Sequence, residues 1–146
     1  MQTTSQAATT ELPTRLRLAV TRAARRLRQE ADPGLGPSLT AALASVDRHG
    51  PLTPSRLAEI ERIQRPTATR LVARLVDEGL VERESVPGDG RSWNVRATAD
   101  GRALLKKLRS RKNAYLARRL RGLDEDELAT LERATDILER ILENVK

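Results

Sequence analysis

Residues 53–97 read TPSRLAEIERIQRPTATRLVARLVDEGLVERESVPGDGRSWNVRA, and this stretch decides the fold. Thr53 before Pro54 is an N-cap followed by proline at the first helical position, where no intrahelical N–H bond is lost. Leu57, Ala58 and Ile60 supply the apolar side of a short helix from Pro54 to about Glu61. Arg62 to Arg65 forms the connection. Pro66 then restarts a helix that reaches Glu78, with Gly79 as its C-cap glycine. Leu80 to Ser85 is a short extended run, and Val86-Pro87-Gly88-Asp89-Gly90 is a turn cluster. From Ser92 to Ala97 the chain alternates, with Trp93, Val95 and Ala97 on one face and Ser92, Asn94 and Arg96 on the other. A short helix, a tight turn, a second helix and a hairpin make a helix-turn-helix followed by a wing.

The second helix of that unit has two faces. Leu71, Val72, Leu75 and Val76 recur at the spacing of a buried side. Thr67, Arg70 and Arg74 stand at i, i+3 and i+7 on another, which begins at the end a recognition helix pushes into a major groove. Thr67 and Thr69 can donate to phosphate or touch a thymine methyl, and Arg65 and Arg70 can fork onto guanine or grip phosphate. At the wing tip, glycines permit positive φ, and Arg91 is placed to enter a minor groove with Asp89 holding it by an ion pair. Gly88-Asp89-Gly90 is not a dinucleotide fingerprint, because the third glycine and the following helix are missing. Each set also has a plainer reading, as a solvated helix face and an ordinary turn. Their adjacency favours nucleic acid.

Outward from this stretch the chain reads as helix. Met1 to Thr10 is a polar, flexible tail, and a first helix runs from Leu12 to about Ala31, ended by Asp32-Pro33-Gly34. Its stripe is Leu12, Leu16, Ala19, Val20, Ala23 and Leu27. A second helix runs from about Ser38 to His49, with Leu39, Ala42, Leu43 and Val46 inward and Gly50-Pro51 as the stop. After the hairpin, Thr98 caps a helix that runs to about Arg121, roughly 35 Å at 1.5 Å per residue. Asp124 and Glu127 form a capping box with Leu123 as staple. The last helix carries Leu128, Leu131, Ala134, Leu138, Ile141, Leu142 and Val145 at heptad-like spacing. The fold class is therefore mainly α with one β-hairpin. The domains expected are a tail, 1–10, and one unit, 11–146, whose winged lobe (35–100) is flanked by helical regions at 11–34 and 101–146.

Composition narrows the function. There are 146 residues, 27 Lys plus Arg against 20 acidic residues, and a net charge of +7. Of the cations 23 are Arg, which suits phosphate and guanine edges. A GC-rich genome also favours Arg codons, so charge alone carries little weight. The chain has no cysteine, which removes disulfides, thiolate metal sites and thiol sensing. Its one histidine, His49, falls in a last helical turn, where it suits the helix dipole. No metal or cofactor is expected. With no carboxylate pair, nucleophile dyad or phosphate loop at usable spacing, the chain is not read as an enzyme. No apolar run is long enough to span a membrane and the start lacks a secretory pattern, so a cytoplasmic, nucleoid-associated protein is expected.

Three segments together resemble the MarR-type regulators of bacteria and archaea: Thr53 to Ala58, Arg65 to Leu75 and Asp77 to Arg83. So does the stretch from Asp89-Gly90-Arg91-Ser92 through Thr98-Ala99-Asp100-Gly101-Arg102-Ala103-Leu104-Leu105. The most specific element is the wing Asp-x-Arg followed by a threonine-capped helix. The resemblance implies a homodimer joined through the first, fifth and sixth helices. It implies a recognition helix reading double-stranded DNA through Arg65, Thr67, Ala68, Thr69, Arg70 and Arg74. It places the wing arginine at Arg91 beside Asp89, and phosphate contacts at Thr53 and Ser55. Two copies would read a pseudo-palindrome with half-sites one helical turn apart. It also implies a small aromatic or lipophilic ligand in a crevice beside the winged lobe. Trp93 and Tyr115 are the only aromatics to stack on one, and both are better read as wing-base core and interface.

The function expected is a sequence-specific transcriptional regulator, a repressor released by a small molecule. Two alternatives use the same residues differently. An architectural, nucleoid-type protein would exploit the Arg spread over the first and fifth helices with little sequence preference. A protein-interaction module would leave Arg65, Arg70 and Arg91 without a polyanion to meet.

Overall fold

The apolar residues of the central stretch close on those of the helix before it and on the start of the helix after it. The computed structural model describes residues 2–86 and 88–143. Among them the elements run α1 (Gln2–Glu30), α2 (Pro37–His49), α3 (Pro54–Glu61), α4 (Arg65–Asp77), β1 (Val81–Val86), β2 (Asp89–Ala97), α5 (Ala99–Leu120) and α6 (Glu125–Glu143). Tertiary contacts divide the chain into one unit of residues 1–112 and a second of residues 113–146.

In the first unit, α2, α3 and α4 pack on one another and α2 also meets β2. Leu39, Ala42, Leu43 and Val46 of α2 are buried with Leu57 and Ala58 of α3 and with Ala68, Val72 and Leu75 of α4. Val81, Val95 and Ala97 of the hairpin and Leu105 of α5 complete the core. It contains no fully buried aromatic ring, and Trp93 packs against its edge.

The caps explain where each helix stops. Thr53 Oγ1 accepts the Arg56 amide at 3.2 Å and starts α3. Arg62 ends it in the left-handed region (φ 53°, ψ 48°), the one described non-glycine residue at positive φ. After α4, the Leu80 amide donates to the Leu75 carbonyl at 3.0 Å and Gly79 to Val76 at 2.9 Å, a Schellman closure with Gly79 at φ 73°. Thr98 then ties α5 to this corner. Its hydroxyl donates to the Gly79 carbonyl at 2.7 Å, and the same oxygen accepts the Gly101 amide at 3.1 Å.

The strands pair antiparallel from Val81↔Ala97 to Ser85↔Trp93, and Val86 then meets Asp89 across a bulge. Pairing therefore continues into the expected turn cluster. Pro87 and the side chains of Asp89, Arg91 and Ser92 lie outside the described residues, and the expected Asp89–Arg91 ion pair with them. The other edge of β2 gains an isolated bridge, since Leu52 and Val95 exchange backbone hydrogen bonds at 3.1 and 2.8 Å.

The first helix departs from expectation. Its backbone is helical from Gln2 rather than Leu12, with Pro13 inside it. Gln, Ala and Glu in the leading segment are adequate helix formers, and proline forfeits one internal bond without ending the helix.

In the second unit the capping box forms in both directions. The Glu127 amide donates to Asp124 Oδ1 at 2.8 Å, and the Asp124 amide to Glu127 Oε1 at 3.3 Å. No residue of α6 is buried within the single chain, and Leu131, Ile137, Ile141 and Leu142 are all exposed. In the first unit, Leu12, Leu16, Leu18 and Val20 of α1 are exposed as well.

Candidate nucleic-acid interface

The packing of α4 fixes which of its side chains can meet a partner. Ala68, Val72 and Leu75 are fully buried at i, i+4 and i+7, so the opposite side faces solvent. Arg65, Thr69, Arg70 and Arg74 lie there exposed, with Thr67 at the margin. Ala68 is a correction to the expected set. It is 0% exposed and packs into the core, so it seats the helix and has no surface to offer DNA.

The exposed residues already interact with one another. Arg70 Nη2 donates to Thr67 Oγ1 at a long 3.4 Å, which leans the guanidinium toward the helix N-terminus. Thr69 donates its hydroxyl to the Arg65 carbonyl at 3.1 Å. To donate to phosphate it must break that bond, whereas its methyl stays available to a thymine. Arg74 pairs with Glu78 at 3.3 Å, an exposed pair that a phosphate could outcompete at little cost. Among the described residues Arg65 carries no ion pair. Thr53 uses its oxygen as an acceptor in the α3 cap and keeps its hydroxyl hydrogen to give. Ser55 is half-buried in the first turn of α3.

The wing stands on the Leu52–Val95 bridge and on the β1–β2 ladder. One of its faces holds Arg96 between Glu82 (2.7 Å) and Glu84 (3.6 Å). Arg83 stacks on Trp93, 4.5 Å from the ring centroid. That use of Trp93 agrees with its reading as wing-base core. Tyr115 is engaged by Arg119, whose Nε donates to its hydroxyl at 3.2 Å.

Two features escaped sequence reasoning. Arg56 and Arg62 are exposed on α3 and on the α3–α4 turn, beside the positions already named, with Arg56 paired to Glu59 at 2.9 Å. Arg62 lay in a connection read only as a spacer. The second is a cavity of about 580 Å³ where the end of α1, the start of α2 and α5 come together. Arg25, Arg28 and Lys112 line it, which singles out two of the many first-helix cations. Neither Trp93 nor Tyr115 does. Among the described residues no group of His, Asp and Glu is placed to hold a metal ion, and no helix is long and apolar enough to cross a membrane.

The geometry agrees with known proteins. A profile described as the MarR family matches residues 34–92. An uncharacterized HTH-type transcriptional regulator of Mycobacterium leprae is 36% identical over 129 residues, covering 88% of this chain and 90% of the relative. A structure from Pseudomonas aeruginosa PA01, described as a transcriptional regulator protein, superposes with a TM-score of 0.81. It is 33% identical and covers 91% of this chain and 95% of that one. A structure of the multiple antibiotic resistance repressor MarR gives a TM-score of 0.74 at 26% identity, covering 90% and 94% of the two chains.

Proposed function

Because the chain belongs to the MarR family and is a DNA-binding transcription regulator rather than an enzyme, we propose that it acts as a homodimeric repressor of a pseudo-palindromic operator, released by a small molecule. The observation that carries this reading is the exposed row Arg65, Thr69, Arg70 and Arg74 with Thr67 at its margin, held outward by the buried Ala68, Val72 and Leu75 and flanked by a wing. The row enters the major groove, with Thr53 and Ser55 on phosphates. Arg91, supported by Asp89, enters the neighbouring minor groove. Two copies place their recognition helices in half-sites about one turn apart.

The dimer reading is supported by the apolar side chains that α1 and α6 leave exposed in a single chain. In this reading residues 35–100 form the DNA-binding lobe, and 11–34 with 101–146 join the copies. The protein works in the cytoplasm, at the nucleoid. Release follows if a ligand binds the non-operator arrangement of the two lobes better than the operator-bound one, since only differential affinity moves such an equilibrium. The cavity against α2 supports this, because α2 packs directly on α3 and α4.

The test is selection of bound fragments from random DNA by the purified protein at two salt concentrations. Enrichment of an inverted repeat with half-sites one turn apart is the expected result. Binding without a motif, collapsing steeply with salt, would leave only the phosphate term. The architectural reading would then replace this one. It is favoured by α5, whose sequence from Arg102 to Leu120 carries basic residues and no acid.

A further inference from the structure

We infer that the cavity between α1, α2 and α5 selects an aliphatic carboxylate over an aromatic one. This rests on the ligand-release reading above and narrows it to a chemical class. At about 580 Å³ the cavity is the size of a small-molecule site, which runs to ~300–1,000 Å³. Its apolar surface comes from alanine, leucine and proline. Leu108 and Ala31 are nearly fully buried and Leu27 is half-buried. No aromatic side chain lines it.

That composition discriminates by shape. A bound ring gains over its area from other rings set edge or face to it, and here none lines the cavity. Methyl and isobutyl groups instead make an irregular wall, to which a flexible alkyl chain conforms and a rigid plate does not.

The charge sets the head group. Arg25, Arg28 and Lys112 all border the cavity, and among the described residues none of the three is in an ion pair. The acid at the rim, Asp32, is already bonded to the Gly34 amide at 2.8 Å. The N-terminus of α2 also opens here, at Gly36, with no side chain capping it. Unpaired cations and an uncapped helix start favour an anion, and guanidinium matches a carboxylate with two parallel bonds.

The test is calorimetric titration of the full chain with decanoate, with 2-naphthoate as an aromatic acid of similar size, and with decan-1-ol as the uncharged chain. Each is then repeated with the selected operator fragment present. Decanoate is expected to bind at least tenfold tighter than either control. An Arg28→Gln, Lys112→Gln double variant should lose about tenfold for decanoate and nothing for decan-1-ol, with its unliganded Tm unchanged. Naphthoate binding as well as decanoate would overturn the aliphatic assignment and leave small-molecule release standing. No heat from any of the three at millimolar concentration would overturn the cavity's role altogether. Decanoate binding without any change in operator affinity would uphold the class and remove the release reading.

Discussion

Replacing Gly101 by alanine adds one methyl group where α5 passes closest to the corner after α4. A Cβ built there overlaps the Leu80 carbonyl oxygen and stands 3.1 Å from its carbon and 3.2 Å from Leu43 Cδ1. Leucine can rotate away, but the carbonyl cannot, because it accepts the Thr98 amide at 3.0 Å. Overpacking of this kind costs about 1–3 kcal/mol, and a backbone obstacle puts it at the upper end. The alanine recovers at most about 1 kcal/mol of helix propensity. The net loss is about 2 kcal/mol, a fall in Tm of roughly 4–8 °C for a chain of this size. Gly122→Ala is the control, since a Cβ there meets nothing within 4 Å, and it should stay within about 0.5 kcal/mol of the parent. The assay is thermal unfolding by circular dichroism at fixed protein concentration. A Gly101→Ala protein that melts at or above the parent temperature would refute the steric argument. Equal losses at both glycines would show that the loss at Gly101 does not come from the Leu80 carbonyl.

Three further substitutions probe other parts of the chain. Arg70→Ala with Arg91→Ala should weaken operator binding by about 1–3 kcal/mol per arginine in fluorescence anisotropy while leaving Tm within a degree, and unchanged binding would revive the protein-interaction reading. Asp124→Ala removes the oxygen that accepts the Glu127 amide and should cost about 1 kcal/mol in urea unfolding, whereas Asp124→Asn should cost only a few tenths. Arg62→Gly relieves a side chain held at φ 53° and should gain about 0.5–1 kcal/mol in the same assay; a loss would mean that Arg62 packs more than its exposure suggests.

The elements were legible wherever punctuation was chemical. Thr53-Pro54, Gly79, Thr98 and the Asp124–Glu127 box each mark a helix end by a hydrogen bond that a short motif can specify. The leading segment of α1 lacks such a mark, and Pro13 reads equally as a first turn or an interior residue. The proposed recognition face was half legible. Period 3.6 separated Arg70 and Arg74 from Val72 and Leu75, but Ala68 is small enough to suit either side, and only packing puts it inside. The cavity was not legible at all, because it joins Arg25 and Arg28 to Lys112, more than eighty positions away.

The two hydrogen bonds between Leu52 and Val95 have a genetic consequence. They fasten the α2–α3 connector to the base of the wing, while α3 packs on α4 and α4 on β1, so the helix pair and the hairpin share one set of contacts. In the proposed homodimer, which bases are preferred and how far apart two half-sites lie are then expected to be separable traits. Substitutions on the outer side of α4 should alter the letters of the binding site at unchanged spacing. Substitutions in α1, which lies outside the buried core, should alter tolerated spacing while the letters stay the same. On the proposed function, a lineage can then acquire a new effector without rewriting its binding sites, and new binding sites without losing its effector.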